Sequence, residues 1–360
     1  MENTSQSIEN NQIQIISRQK NKSIINWLLL GCLLIFIMVA IGGITRLTHS
    51  GLSMVEWNLF GSTPPSSQAD WEILFDKYKQ YPEYQLVNFN FSLEEFKSIF
   101  FWEYAHRMFG RTIGLVFILP FFWFLFKKKI SKELLPRLVL LLFLGGFQGL
   151  LGWYMVKSGL KANPDVSHYR LAMHLTTAFL TFAYTFWVAL GLLYPKQALS
   201  APHPLKKWFQ LLFPVVVIQI IWGAYVAGLN AGKVYNHWPK MGEKWVDDAV
   251  TAMQPLYLNF IEGLAGVQFV HRYLAYIVVA LILVIFFKAR KMSLLSSQKW
   301  GVNALLIAVS VQFVLGIVTL LYAVPVSLGV LHQLGAFLLL GTVIFSLHRF
   351  RSVPVLKESV

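Results

Sequence analysis

Glu103, His106, Arg107 and Arg111 crowd into WEYAHRMFGR (102–111), which runs straight into the apolar TIGLVFILPFFWFLF. Ionisable side chains at membrane depth are costly and are kept there for a use. A second copy, VQFVHRYLAY (267–276), precedes another apolar run, with His271 and Arg272 in register but Gln268 where the first copy has Glu103. Positions i and i+3 share a helix face, so Glu103 is expected on the side where His106 presents its ring. Glutamine keeps the size and the hydrogen bonding of glutamate but exchanges no proton near neutrality. A positioned carboxyl is a proton-transfer group. The pair therefore reads as asymmetric: an N-terminal site that does chemistry and a C-terminal site that only holds a redox group.

Two more histidines complete the pattern. HLTTAFL (174–180) and HQLGAFL (332–338) repeat one another, so His106 and His174 form one pair and His271 and His332 a second. All four lie early in apolar segments that enter from the same face. At 1.5 Å per residue that is roughly 5–12 Å below the boundary. Neutral imidazole suits iron, copper or zinc. Zinc would want three or four converging ligands, often with cysteine, and the only cysteine, Cys32, reads as a small apolar core residue. Two imidazoles per half, amid glycines such as Gly149, Gly152, Gly316 and Gly335, suit a flat macrocycle held axially. Haem in each half is the reading. Arg46, Arg107, Arg111 and Arg272 lie near the same boundary as candidate partners for haem propionates, with snorkelling to lipid head groups as the alternative. His49, His168, His203, His237 and His348 are expected in polar surface roles.

The elements that must position these residues follow from composition. The 360 residues are 56% hydrophobic and 13% charged, with mean hydropathy +0.55. That excludes an ordinary soluble domain. About 20 apolar residues span a bilayer, and such segments sit near 27–45, 99–126, 138–156, 171–194, 208–229, 264–287, 301–323 and 329–347. The fold class is an all-α integral membrane protein with eight transmembrane helices. With both termini placed in the cytoplasm, the inner segments hold eighteen Lys/Arg against four acids, which accounts for the whole net charge of +14. This is the positive-inside pattern, and it removes the nucleic-acid reading that a basic pI suggests. The polar 1–26 segment resembles neither a cleavable signal nor a transit peptide, which favours a bacterial plasma membrane.

Histidine offsets of 165 and 158 residues, and the Gln-x3-Gly runs QGLLG (148–152), QIIWG (219–223) and QFVLG (312–316), relate helices 1–4 to helices 5–8. Two pseudo-symmetric four-helix bundles are expected, related by rotation about the membrane normal. The division is a cytoplasmic tail 1–26, an N-terminal half 27–194 with outer loop 46–98, an inner linker 195–207, a C-terminal half 208–347 with outer loop 230–263, and a tail 348–360. Long outer loops of this kind often cover a site.

GGITRLTHSGLSMVEW (42–57), GSTPP (61–65), YKQYPEYQ (78–85), EFKSIFFWEYAHRMFGR (95–111) and HRYLAY (271–276) resemble the haem A synthase family, in its proteobacterial and mitochondrial branch, which lacks loop cysteine pairs. The resemblance covers about residues 27–350. It implies oxidation of the C8 methyl of haem O to a formyl group, giving haem A for terminal oxidase assembly. It also implies His106 and His174 as axial to the substrate haem, His271 and His332 as axial to a bound haem b, and Glu103 as the essential carboxylate. Haem O synthase and oxidase assembly factors are the implied partners, with the oligomeric state left open. The residues alone leave two alternatives: a dihaem b-type cytochrome acting only in electron transfer, and a transporter, which the repeats and intramembrane charge suggest. Four histidines at one depth argue against a relay across the membrane.

Overall fold

The computed structural model describes residues 2–54, 56, 63–160, 164–195, 200–351 and 353–354. Parts of the GLSMVEW and GSTPP motifs, residues 196–199 of the inner linker and the end of the C-terminal tail lie outside the described residues. Ten α-helices occur in order: α1 Glu2–Leu47, α2 Gln68–Tyr78, α3 Pro82–Leu86, α4 Leu93–Phe126, α5 Leu135–Gly159, α6 His168–Leu193, α7 Lys206–Gly228, α8 Leu264–Arg290, α9 Ser296–Leu321 and α10 Val326–Arg349. Eight of them are long and apolar enough to cross a membrane: α4 to α10 and the Gln19–Leu47 part of α1. The chain is a multi-pass membrane protein. Its bare apolar side chains, such as Leu119, Phe126, Phe143 and Ile307, face outward along these helices, where lipid replaces water as the solvent.

The helices pack as two closed rings. In the first, α1 touches α4 and α6, and α5 joins α4 to α6; in the second, α7 touches α8 and α10, and α9 joins α8 to α10. The halves meet where α1 packs on α10, α6 on α7, and α6 on α10. When the halves are exchanged the first two contacts map onto each other and the third onto itself. Phe179 and Phe337 hold the same place in the two HxxxAFL-type repeats, and their rings meet edge-on at 5.3 Å. The pseudo-twofold axis passes between them. Apolar tails give helices little hydrophobic reason to associate in lipid, so close packing and interhelical hydrogen bonds do that work.

Two short helices, α2 and α3, sit in the first outer loop. Each of α2 and α4 begins with a capping box, Ser67 with Asp70 and Ser92 with Glu95, in which serine and acid satisfy each other's orphan backbone N–H groups. The cap at Ser92 starts α4 well before the apolar run expected from 99, because Phe96, Ile99 and Phe100 bury themselves against Trp71, Phe75 and Tyr78 of α2. This aromatic cluster, the lid, seats the first outer loop on the start of α4. At the opposite end of the helices from this loop a two-residue strand, Ser200–Ala201, pairs antiparallel with Val353–Pro354.

Candidate functional site

Each of the four intramembrane histidines rests on a glycine of the helix before it. A Cβ built on Gly42 would lie 2.9 Å from Cε1 of His106, one on Gly152 3.4 Å from His174, one on Gly223 3.0 Å from His271, and one on Gly316 2.9 Å from His332. A Cβ would force a shift at Gly42 and Gly316, crowd the ring at Gly223 and come only to the edge of ordinary contact at Gly152. The four contacts are one motif used four times: α1 with α4, α5 with α6, α7 with α8, α9 with α10. The sequence marks Gly223 as the end of a Gln-x3-Gly run and Gly42 within a quoted motif, but not the contact each makes, which joins different helices.

The C-terminal pair faces one another. The His271 and His332 rings have centroids 6.4 Å apart and planes at 85°. With imidazole–metal bonds of about 2.0–2.1 Å and about 1.1 Å from ring nitrogen to centroid, two imidazoles on opposite sides of one ion have centroids about 6.3 Å apart. The spacing fits a single axially held metal. Among the described residues no three His, Cys, Asp or Glu side chains converge, so the arrangement is a pair rather than a cage. Gln219 Nε2 donates to the His271 carbonyl at 3.0 Å and lies 3.2 Å from its Nδ1; Gln312 repeats both distances on His332. Gln312 Nε2 lies also 3.5 Å from Nε2 of His332, and because an amide N–H only donates, each ring turns an accepting nitrogen to its glutamine. In the N-terminal half His106 and His174 lie within electrostatic reach of each other, and their Nδ1 atoms are buried without a partner among the described residues. Buried polar atoms left in this state call for a bound group. The residues present fit haem in both halves.

Glu103 is 3% exposed and fully engaged. Its carboxylate accepts from Ser53 Oγ and the Met54 N–H, both at 2.7 Å, and from Arg107 at 2.5 Å. Arg107 in turn donates to the carbonyls of Met54 and Glu56 at 2.8 Å. Every partner of Glu103 is a donor, an arrangement built for an ionised carboxylate. Rather than turning to the His106 ring, it clasps the outer loop onto α4. The second half keeps the clasp with different chemistry: Gln268 donates to the carbonyls of Ala231 and Tyr235, and Arg272 to those of Tyr235 and Lys240. The loop at 231–240 offers carbonyls where the loop at 53–54 offers N–H and O–H. That difference is the physical content of the Glu/Gln asymmetry.

The remaining arginines have their own places. Arg46 reaches across the halves to the last carbonyls of α7, Ala227 and Gly228, at 3.1 and 3.3 Å. Arg111 lies 3.7 Å from the Met108 sulfur. Nε of both Arg46 and Arg272 is buried without a partner among the described residues. Three of the histidines expected at polar surfaces are buried instead. His168 starts α6 and hydrogen bonds Ile261 O at 2.9 Å across the halves. His203 accepts from the Leu205 N–H at 3.1 Å and meets Phe350 edge-on, and its burial holds its pKa below the ordinary value. His348 is enclosed by Trp187 and Tyr194. His49 and His237 are exposed as expected. Cys32 is a buried core residue.

One acid escaped the sequence reading although it lies in the quoted YKQYPEYQ. Glu83 of α3 is 6% exposed beneath the lid and accepts from Tyr78 at 3.1 Å, while Asn88 donates to the Tyr78 hydroxyl at 2.8 Å. Burial, with help from the Glu103 charge, pushes its carboxyl up to about 8.

Residues 25–344 match the family model described as cytochrome oxidase assembly protein. Proteins named "Heme A synthase" are similar over most of their length. That of Flavobacterium psychrophilum is 53% identical over 92% of this chain and 99% of its own; that of Nitrosospira multiformis 46% over 92% and 94%; that of Rhodospirillum centenum 46% over 92% and 89%.

Proposed function

The chain belongs to the cytochrome oxidase assembly protein family, and from that premise we propose that it makes haem A, oxidising the C8 methyl of haem O to a formyl group by successive hydroxylations. The observation that carries the reading is the fourfold histidine-on-glycine contact, with the 6.4 Å spacing of the C-terminal pair. His106 and His174 hold the substrate haem O from α4 and α6. His271 and His332 hold a resident haem b from α8 and α10, which when bound supplies one-electron redox chemistry.

The protein's own part is placement and charge. Gly42 and Gly152 let two imidazoles approach the substrate in the N-terminal half, and the aromatic lid over α4 keeps water out. Glu103 is the essential carboxylate, acting as an ion pair with Arg107 at the edge of that half. It fixes the loop that closes the site and keeps a buried carboxylate there. Arg46, Arg272 and Arg111 are the candidates for propionate contacts, the first two through an Nε that has no other partner among the described residues. Delivery from haem O synthase and release to oxidase assembly factors would occur from the bilayer, in a bacterial plasma membrane with both termini cytoplasmic. The test is pigment extraction from cells that make haem O and express this chain. Haem A should appear; its absence alongside intact, haem-loaded protein would leave only the electron-transfer reading.

A further inference from the structure

We propose that a bare glycine seam between α4 and α5 receives the prenyl chain of haem O, and that the side chains filling the matching seam between α8 and α9 restrict the C-terminal half to haem b. The inference rests on the haem assignment above and deepens it by naming what tells the two haems apart. They share a macrocycle and differ chiefly in one substituent, a hydroxyethylfarnesyl chain on haem O where haem b has a vinyl group. A half that binds haem O therefore needs an apolar space that the other half lacks.

The helical glycines supply that difference. At Gly114, Gly145, Gly146, Gly149 and Gly191 a Cβ would meet nothing within 4 Å, and all five lie in the N-terminal half. Every described helical glycine of the C-terminal half has a neighbour inside that distance. Gly145 and Gly149 stand two turns and one turn before Gly152, on the α5 face that meets His174, and Gly114 stands two turns after His106 on α4. Both of those imidazoles have a buried Nδ1 without a partner among the described residues. The His106–His271 and Gly152–Gly316 registers carry Gly114, Gly145, Gly146 and Gly149 to Val279, Val309, Ser310 and Phe313. Val309 is buried, and Val279 packs on the same core. The Phe313 ring lies 5.7 Å from that of Tyr276 on α8 and 6.4 Å from that of Trp238. Trp238 Nε1 donates to the Tyr276 hydroxyl at 3.1 Å, which closes that seam at its loop end. Helices in lipid are held by close packing, and glycine is a poor helix former. Four bare glycines along one seam thus provide space at the expense of the fold. An apolar chain lying there restores the missing contacts, and Gly145, Gly146 and Gly149 are exposed, so it can run on into the lipid.

The experiment uses the full chain purified from cells that make both haem b and haem O. It reads the extracted pigments, counting haem O and haem A together as prenylated haem. One methyl would leave the seam open, so the test brings in the residue that stands at the matching place. G149F should cut prenylated haem about tenfold or more, the scale on which an apolar pocket rejects a group of the wrong size, with haem b at the parental amount or above. A merely damaged bundle would lose both. A parental ratio in G149F overturns the inference and leaves a lipid acyl chain as the occupant. The converse variant gains a ligand. In H106A+H174A the haem extracted should be haem b from the C-terminal half, and adding V309G+F313G should bring prenylated haem into that half. Should G149F fail to accumulate, this variant decides: haem b alone overturns the inference equally. H106A+H174A also separates the layers. If it keeps the parental share of prenylated haem, the placement of haem O between those histidines fails and takes the inference with it. If it loses that haem while G149F keeps it and V309G+F313G gains none, only the seat of the chain is wrong.

Discussion

Glu103 and Gln268 occupy equivalent positions and do equivalent mechanical work, yet only one can carry charge. Replacing Glu103 by Gln removes the counter-ion of a buried arginine and puts an amide where Ser53 and Met54 both donate. E103Q should retain haem but lose product formation by about 10²-fold or more, the usual scale for a missing acid–base group; a fully active variant, measured by pigment extraction, would refute the role. The glycines make a second prediction at this scale. G316A places a methyl 2.9 Å from His332, and overpacking of about 1–3 kcal/mol should lower haem b content about tenfold by absorption. G114A, where nothing lies within 4 Å, should match the parent. The four histidines were legible because chemistry at membrane depth is rare in a sequence. The Gln-x3-Gly runs were visible as repeats, but which histidine each glycine and glutamine touches was not, because a partner on another helix leaves no mark in a residue's own neighbourhood. Glu83 stayed hidden for the opposite reason: an acid in an outer loop looks solvated until the fold buries it.

At the level of elements, the sequence marks the spans well and their ends poorly. An apolar run predicts where lipid begins, while α4 begins at a serine cap that serves the lid. Within that lid α3 holds a carboxyl that is harder to ionise folded, at about 8, than in an unfolded chain, at 4.5. Its neighbours are the Tyr78 hydroxyl, the Asn88 amide and the Glu103–Arg107 pair. The folded lid thus binds the proton more tightly, so its contribution to stability is complete below pH 4.5 and is lost as pH rises through 8. Hydrogen exchange over residues 78–88, corrected for intrinsic rates, should show less protection at pH 9 than at pH 6, and E83Q should abolish the difference. Equal protection at both values in the parent would remove Glu83 as its cause.

For the whole molecule, two repeats of one plan were visible in the spacing of HLTTAFL and HQLGAFL, and Phe179 against Phe337 is their meeting point. What spacing could not convey is how the halves are joined, since that depends on contacts between segments nearly 200 residues apart. Orientation remains a matter of charge. With Cys32 buried, S66C should react with an impermeant maleimide from outside intact cells and S293C only after the membrane is opened; the reverse pattern would invert the topology. The halves are fastened at both faces. Arg46 and His168 tie them at one end, and at the other the strand pair of 200–201 with 353–354, with Arg351 on the Tyr194 carbonyl at 2.6 Å, ties the crossover between them to the end of α10. A hull riveted at deck and keel does not rock, so cargo must come through its side, from the plane of the lipid. Anyone attaching a bulky passenger just behind residue 354 will be prising at the keel.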